Sequence, residues 1–253
     1  MSDLLGKTMS EETRAEFQRA WEKAPQPTYN PEITEVIEDM VYSSTGYCPP
    51  IHYLVQDYMY GWEEEHYESG AIRSRIHTVF GVRDGEGREW HANGQLKSLG
   101  TYVDGQLEGT FLKWREDGTP WTIYHYIAGK EHGCSKEYRN GTLCMDFMFS
   151  HGSLNQFRTW NEDGTLRSMY PYQNDKLHGI TQHYNHPNGR VSDEFTYYEG
   201  VLHGPSRVWS DNGLLLCEGN YEHGRRQGVW TFDSSIRYYE HDEVVREEPR
   251  PVA

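Results

Sequence analysis

The chain has 253 residues, of which 36% are apolar and 25% charged, and its 39 acids against 24 Lys and Arg give a formal charge of −15. That balance repels phosphate backbones and anionic lipid headgroups, so neither nucleic acid nor a membrane surface is expected as partner. No stretch approaches the roughly 20 apolar residues that cross a bilayer as a helix.

The N-terminus, MSDLLGKTMSEETRAEF, lacks a basic start followed by an apolar run, and the four cysteines form no CxxC pair. Both features fit a cytoplasmic protein with reduced thiols. SEETRAEFQRAWEKA, from Ser10 to Ala24, predicts a helix capped by Ser10, with Phe17 and Trp21 one turn apart. Pro25 and Pro27 end it. NPEITEVIEDMVY predicts a second, with Asn30 as cap, Pro31 in the first turn and an apolar stripe of Ile33, Val36, Ile37, Met40 and Val41. Ile51 to Val55 reads as a leading strand. Residues 1–61 are thus expected to form an N-terminal α-helical cap and leading strand that cover the open edge of a sheet built by the residues after them.

From residue 62 to 233 the chain repeats itself. Turn glycines fall at Gly70, Gly94, Gly118, Gly141, Gly164, Gly189 and Gly213, 23 to 25 residues apart. Eight residues after all but the first stands an aromatic: Tyr102, Tyr126, Phe149, Tyr172, Tyr197 and Tyr221. A second aromatic precedes each turn, as Trp90, Trp114 and Trp160 do, and further glycines recur at fixed offsets. Asn or Asp stands before six of the turn glycines, a pairing that tolerates the positive φ of tight hairpin turns. Alternation then places even positions, such as Leu166 and Tyr172, on one strand face and leaves the odd positions to vary on the other.

The unit, roughly G-x4-Y/W-x3-G-x-L-x5-Y-x2-G, resembles the MORN repeat family (membrane occupation and recognition nexus), and within it the bacterial variant of antitoxin and immunity proteins. The resemblance implies a mostly β fold: an elongated, single-layer antiparallel array of β-hairpins. Residues 234–253 form a C-terminal tail whose end, REEPRPVA, carries no core residues and is expected to lack structure.

Nothing in this frame points to catalysis. There is no G-x-S-x-G elbow and no GxxxxGK[ST] loop, and no acid keeps a fixed repeat position. His132, His151, His178, His203 and His223 fall at turn positions. Equivalent residues two strands apart are roughly 9–10 Å away from each other. A metal needs bonds of about 2 Å, so neither metal nor cofactor is expected. His183 and His186 are the one local pair that merits a test.

The odd face is more informative. It carries Trp121 and Ile123 in one unit, Asp146 and Met148 in the next, then Met169, then Glu194. An apolar cluster ringed by acids has the anatomy of an interface core with a polar rim, although the same cluster suits packing beneath the chain's own N-terminal segment. WEEEHYE adds a second candidate surface at Glu63, Glu64, Glu65 and Glu68. The leading expectation is a non-catalytic protein-binding module, monomeric before binding. It would be an immunity or antitoxin protein that occludes a basic toxin domain by direct contact. The alternative is a structural scaffold or membrane-associated adaptor.

Overall fold

Three kinds of backbone corner, each set by small or flexible residues, cut the chain into strands. The structure is a computed structural model that describes residues 60–185 and 189–251, together with positions 15, 16 and 19. At the first corner a glycine with positive φ closes a short loop: Gly94 N donates to His91 O at 2.9 Å. The preceding residue contributes its side chain. Asn93 Oδ1 accepts from Gln95 N at 3.0 Å, Asp117 Oδ1 from Thr119 N at 2.8 Å and Asp163 Oδ1 from Thr165 N at 3.0 Å. The sequence predicts positive φ across the Asn/Asp–Gly pairs, and among the described first corners only Asn140–Gly141 (φ 51° and 77°) adopts it at both residues. Elsewhere the carboxylate or amide acts as a hydrogen-bond acceptor for the backbone.

The second corner is the mirror-image two-residue turn whose twist matches that of the flanking strands. Asp104–Gly105, His151–Gly152 and His223–Gly224 all have positive φ at both residues. The third is a bulge. Leu99 pairs with Leu112 but Thr101 pairs with Glu108, and the extra backbone includes Gly109 at φ 75°.

Nineteen strands result among the described residues, in two units. Unit 1 (residues 1–130) contains β1 (Tyr60–His66), β2 (Ile72–Val79), β3 (Val82–Trp90), β4 (Leu96–Val103), β5 (Gln106–Trp114) and β6 (Pro120–Ile127). Each pairs antiparallel with the next. The two-residue β7 (Lys130–Glu131) falls at the boundary. Unit 2 (residues 131–253) contains β8 (Gly133–Arg139), β9 (Thr142–Ser150), β10 (Ser153–Trp160), β11 (Leu166–Gln173), the two-residue β12 (Lys176–Leu177), β13 (Gly179–Asn185) and β14 (Arg190–Tyr198). It continues with β15 (Val201–Trp209), β16 (Leu215–Glu222), β17 (Arg225–Phe232), β18 (Ser235–Glu240) and β19 (Glu243–Pro249). Here too the order along the sheet follows the chain.

Toward the N-terminus, Ala15, Glu16 and Arg19 are helical, in line with the helix expected over Ser10–Ala24, and Arg19 Nε donates to Ala15 O at 3.2 Å. The rest of that helix, the second helix and the strand at 51–55 lie outside the described residues. At the other end, the structureless tail is corrected: β18 and β19 form a further hairpin. The glycine register stops at Gly228, yet His241–Asp242 makes the two-residue turn without glycine (φ 52° and 74°). Tyr239 is buried, edge-on to Trp230 at 6.1 Å, with the Arg226 guanidinium 4.4 Å from its ring centroid.

Each unit packs its aromatic face by setting rings across the strands against further rings or against glycine. In unit 2, Phe147, Phe157 and Tyr170 are successive cross-strand partners, stacked at 5.0 and 5.5 Å. Such pairs add about 0.5–1.5 kcal/mol each beyond simple burial. Where the strand beneath carries glycine, the ring lies over the backbone. A Cβ at Gly219 would stand 2.1 Å from the Trp230 ring, and one at Gly100 would stand 2.4 Å from Phe111. In unit 1 the opposite face is packed as well: Leu99, Leu112 and Ile123 form one cross-strand row, with Leu112 0% exposed.

Gly219→Ala should therefore destabilise the protein by about 1–3 kcal/mol through displacement of Trp230, measured as a lower urea midpoint with an unchanged m-value. The buried hydroxyls of Ser135 and Ser206 find no hydrogen-bond partner among the described residues. Ser206→Ala should be neutral or stabilising by up to about 1 kcal/mol, since the alanine removes an uncompensated desolvation cost. A clear loss of stability in that variant would mean that the hydroxyl is satisfied.

Candidate functional site

In unit 2 the register gathers odd-position side chains into rows on the face opposite the aromatic ladder. Lys136, Asp146, Arg158, Met169, Gln182, Glu194, Arg207 and Glu218 are successive cross-strand partners. Met148, paired with Cys134 and Gln156, begins the neighbouring row. Four of the expected contact residues, Asp146, Met148, Met169 and Glu194, thus share one face of one unit.

They are not equivalent. Asp146 is 4% exposed. Arg158 donates to its two carboxylate oxygens from Nε at 2.8 Å and Nη2 at 3.0 Å, and the Trp160 indole N–H donates at 3.1 Å. The Arg158 guanidinium also lies 5.3 Å from the Trp160 ring centroid. A buried carboxylate requires such donors. The hydrogen bond to Asp146 in turn pushes the Arg158 pKa further up, so the guanidinium stays charged. Asp146 therefore fixes Trp160 and is shielded from any partner. Met148 is 39% exposed and Met169 half-buried, and both are placed for contact. Glu194 accepts from Gln182 Nε2 at 2.6 Å and lies 3.8 Å from Arg207, which also reaches Glu218 at 3.6 Å. These solvated pairs contribute little stability, but they order the charges along the face.

Beside Trp160 opens a groove of about 420 Å³, lined by the indole, Leu143 and Cys144 and by Arg139, Arg167 and Glu162. Arg158 and Trp160 were missed as site residues by sequence reasoning. Trp160 is visible as a repeat aromatic, but its bond to Asp146 depends on a bulge between Thr159 and Trp160 that spacing alone does not show.

In unit 1, Trp121 is 43% exposed and approached by Lys113 and Arg115 at 5.9 and 5.8 Å. Ile123 is 3% exposed and is corrected from contact residue to packed core, because it pairs with Leu112 in an apolar row. The acidic run on β1 is largely neutralised within the chain. Glu63 accepts two hydrogen bonds from Arg83 at 2.7 and 2.9 Å, Glu64 pairs with Arg75 at 3.1 Å and Glu65 with Arg73 at 3.6 Å. Glu68 is exposed in the turn after β1.

Two histidines at two-residue turns of unit 2, His151 and His223, each meet a further histidine. Ring centroids are 4.8 Å apart for His132 and His151, and 5.4 Å apart for His203 and His223. Among the described residues no group of three or more His, Cys, Asp or Glu is placed to hold a metal ion. His183 contacts Asp193 and the Tyr170 hydroxyl, and His186 lies outside the described residues. Among the described residues no helix is long and apolar enough to cross a membrane.

The family model for a MORN repeat variant matches residues 83–104, the span of β3, its first-corner turn and β4. No curated protein matches the chain. Among solved structures, TarM aligns at 10% identity with a TM-score of 0.24, covering 65% of this chain and 25% of that one. A mutant of S. aureus TarM in complex with fondaparinux, alpha-GlcNAc-glycerol and UDP gives 10% identity and a TM-score of 0.25, with the same coverage. A GtfA/B complex bound to UDP and GlcNAc gives 13% identity and 0.23, covering 44% of this chain and 23% of that one. The chain spans about a quarter of the length of these solved chains, and likeness at such TM-scores carries no argument.

The ion pairs lead to two expected outcomes. Asp146→Ala leaves Arg158 without its partner and Trp160 without its acceptor. It should cost roughly 2–3 kcal/mol in denaturant melts, less than a fully buried pair because the Arg158 side chain is 32% exposed. On β1, the hydrogen bonds from Arg83 hold the Glu63 carboxyl below its ordinary value. The resulting stabilisation is complete above the unfolded-state pKa of Glu and disappears as pH falls through the lowered folded value. Melting temperatures of Glu63→Gln and the parent protein should differ at neutral pH and converge in acid.

Proposed function

We propose that the chain is a non-catalytic protein-binding module, and that it acts as an immunity or antitoxin-type protein by occluding a basic toxin partner. The carrying observation is the odd face of unit 2. Met148 and Met169 lie there among ordered charges, Asp146–Arg158 on one side and Glu194–Arg207–Glu218 on the other. Flexible thioethers beside fixed charges suit a protein interface, where apolar contact provides residence and charge provides orientation. Strands paired with their neighbours hold this face in place, so little ordering entropy opposes association. The net charge of −15 favours encounter with a basic partner. That attraction belongs to the chain as a whole, since Glu63, Glu64 and Glu65 are already paired with arginines.

The test is affinity capture of the tagged full chain from its native cells at low and high salt, alongside the Met148→Ala/Met169→Ala double variant. One stoichiometric basic protein, retained by the parent and released by the variant, is the expected result. Capture that is indifferent to both methionines, or no protein partner at all, would overturn the reading.

A further inference from the structure

The groove beside Trp160 gathers two guanidiniums that form no ion pair among the described residues. Arg73, Arg75, Arg83, Arg158, Arg207, Arg226, Arg237 and Arg246 each meet a carboxylate. Arg139 and Arg167 meet none among the described residues, yet both line the same 420 Å³ groove and both are exposed. Arg139 flanks the two-residue turn Asn140–Gly141, paired with Thr142, and lines the groove from there. In a chain of charge −15, two guanidiniums without an ion-pair partner among the described residues, at a groove with one lining carboxylate, call for an anion.

We infer that this groove binds a carboxylate presented by an acidic peptide segment, with an apolar side chain beside the carboxylate packed on Trp160. Three features carry the assignment. The charge fits a monoanion: Arg139 and Arg167 supply two positive charges and Glu162 on the lining removes one. The Asp146–Arg158 pair is closed on itself and adds nothing. A dianionic phosphate would leave the site overcharged, whereas a single carboxylate balances it. The apolar part fits as well, since Trp160, Leu143 and Cys144 line the same groove. Finally, the indole is preorganised. Its N–H is bound to buried Asp146 and Arg158 stacks against the ring, so the platform needs no ordering when ligand arrives. The volume suits one side-chain pair and its backbone.

The groove's ligand can be tested without the toxin, because no cellular partner is needed. The full chain is titrated with three probes: a terminally blocked Phe-Glu-Phe tripeptide, its Phe-Gln-Phe analogue and inorganic phosphate. Binding is followed at the indole N–H resonance of Trp160, assigned by its loss in Trp160→Phe. The Glu peptide should shift that resonance saturably. Affinity should fall at least tenfold for the Gln analogue and at least tenfold in the Arg139→Gln/Arg167→Gln double variant. Neither arginine meets a carboxylate among the described residues, so the double variant should melt with the parent protein. If it does not, each single variant is titrated instead, and a fall of threefold or more in each is required. Equal binding of the Gln analogue, indifference to the arginines, or tighter binding of phosphate than of the Glu peptide would each overturn the assignment.

Discussion

The fit of a flat ring over a residue with no side chain is the contact on which this fold depends. The strands within each unit pair side by side, so an aromatic must find much of its burial laterally, on the strand next to it. Trp230 lies across Gly219 and Phe111 across Gly100 at separations that no Cβ would allow. Where the neighbour is itself aromatic, as for Phe147, Phe157 and Tyr170, the rings stack instead. Along the row a ring therefore meets either bare backbone or another ring, and the backbone corners hold that arrangement in register.

With one face devoted to rings, the other is released to vary, and the same repeat position takes on different chemistry. Five residues after its turn glycine the chain has Leu99, Ile123, Asp146, Met169 and Glu194 in successive units. In unit 1 Leu99 and Ile123 are packed core. In unit 2 Asp146 becomes a buried anchor for an indole, Met169 is half-buried at the surface and Glu194 joins a run of ordered charges. Architecture and recognition are thus written in alternate letters of one strand.

Much of the fold was legible because glycines and aromatics recur at fixed offsets, and those offsets are the corners and rings themselves. What spacing did not reveal were substitutions that keep the geometry while changing the letter. Counting glycines fails at the chain's end, where His241–Asp242 turns without one and adds the β18–β19 hairpin. The site was less legible. Alternation placed Asp146, Met148, Met169 and Glu194 on a common face, but it could not distinguish buried from open positions, which is why Ile123 reads as surface in the sequence. Nor could it foresee that Glu63, Glu64 and Glu65 would be answered by arginines eight to twenty residues away in sequence, across the strands.

The alternation of faces also governs how such a chain can change. Because the side chains switch face with every residue, losing a single residue between two corners would turn the ring row outward and the charged row inward over that strand. Losing or gaining a whole period of about two dozen residues would leave every face where it was and only alter which rungs are adjacent. In unit 2 that is a change of neighbours for Asp146, Met169 or Glu194 without a change of scaffold. The recognition face behaves as a text edited by whole words, tolerant of duplication and intolerant of a dropped letter.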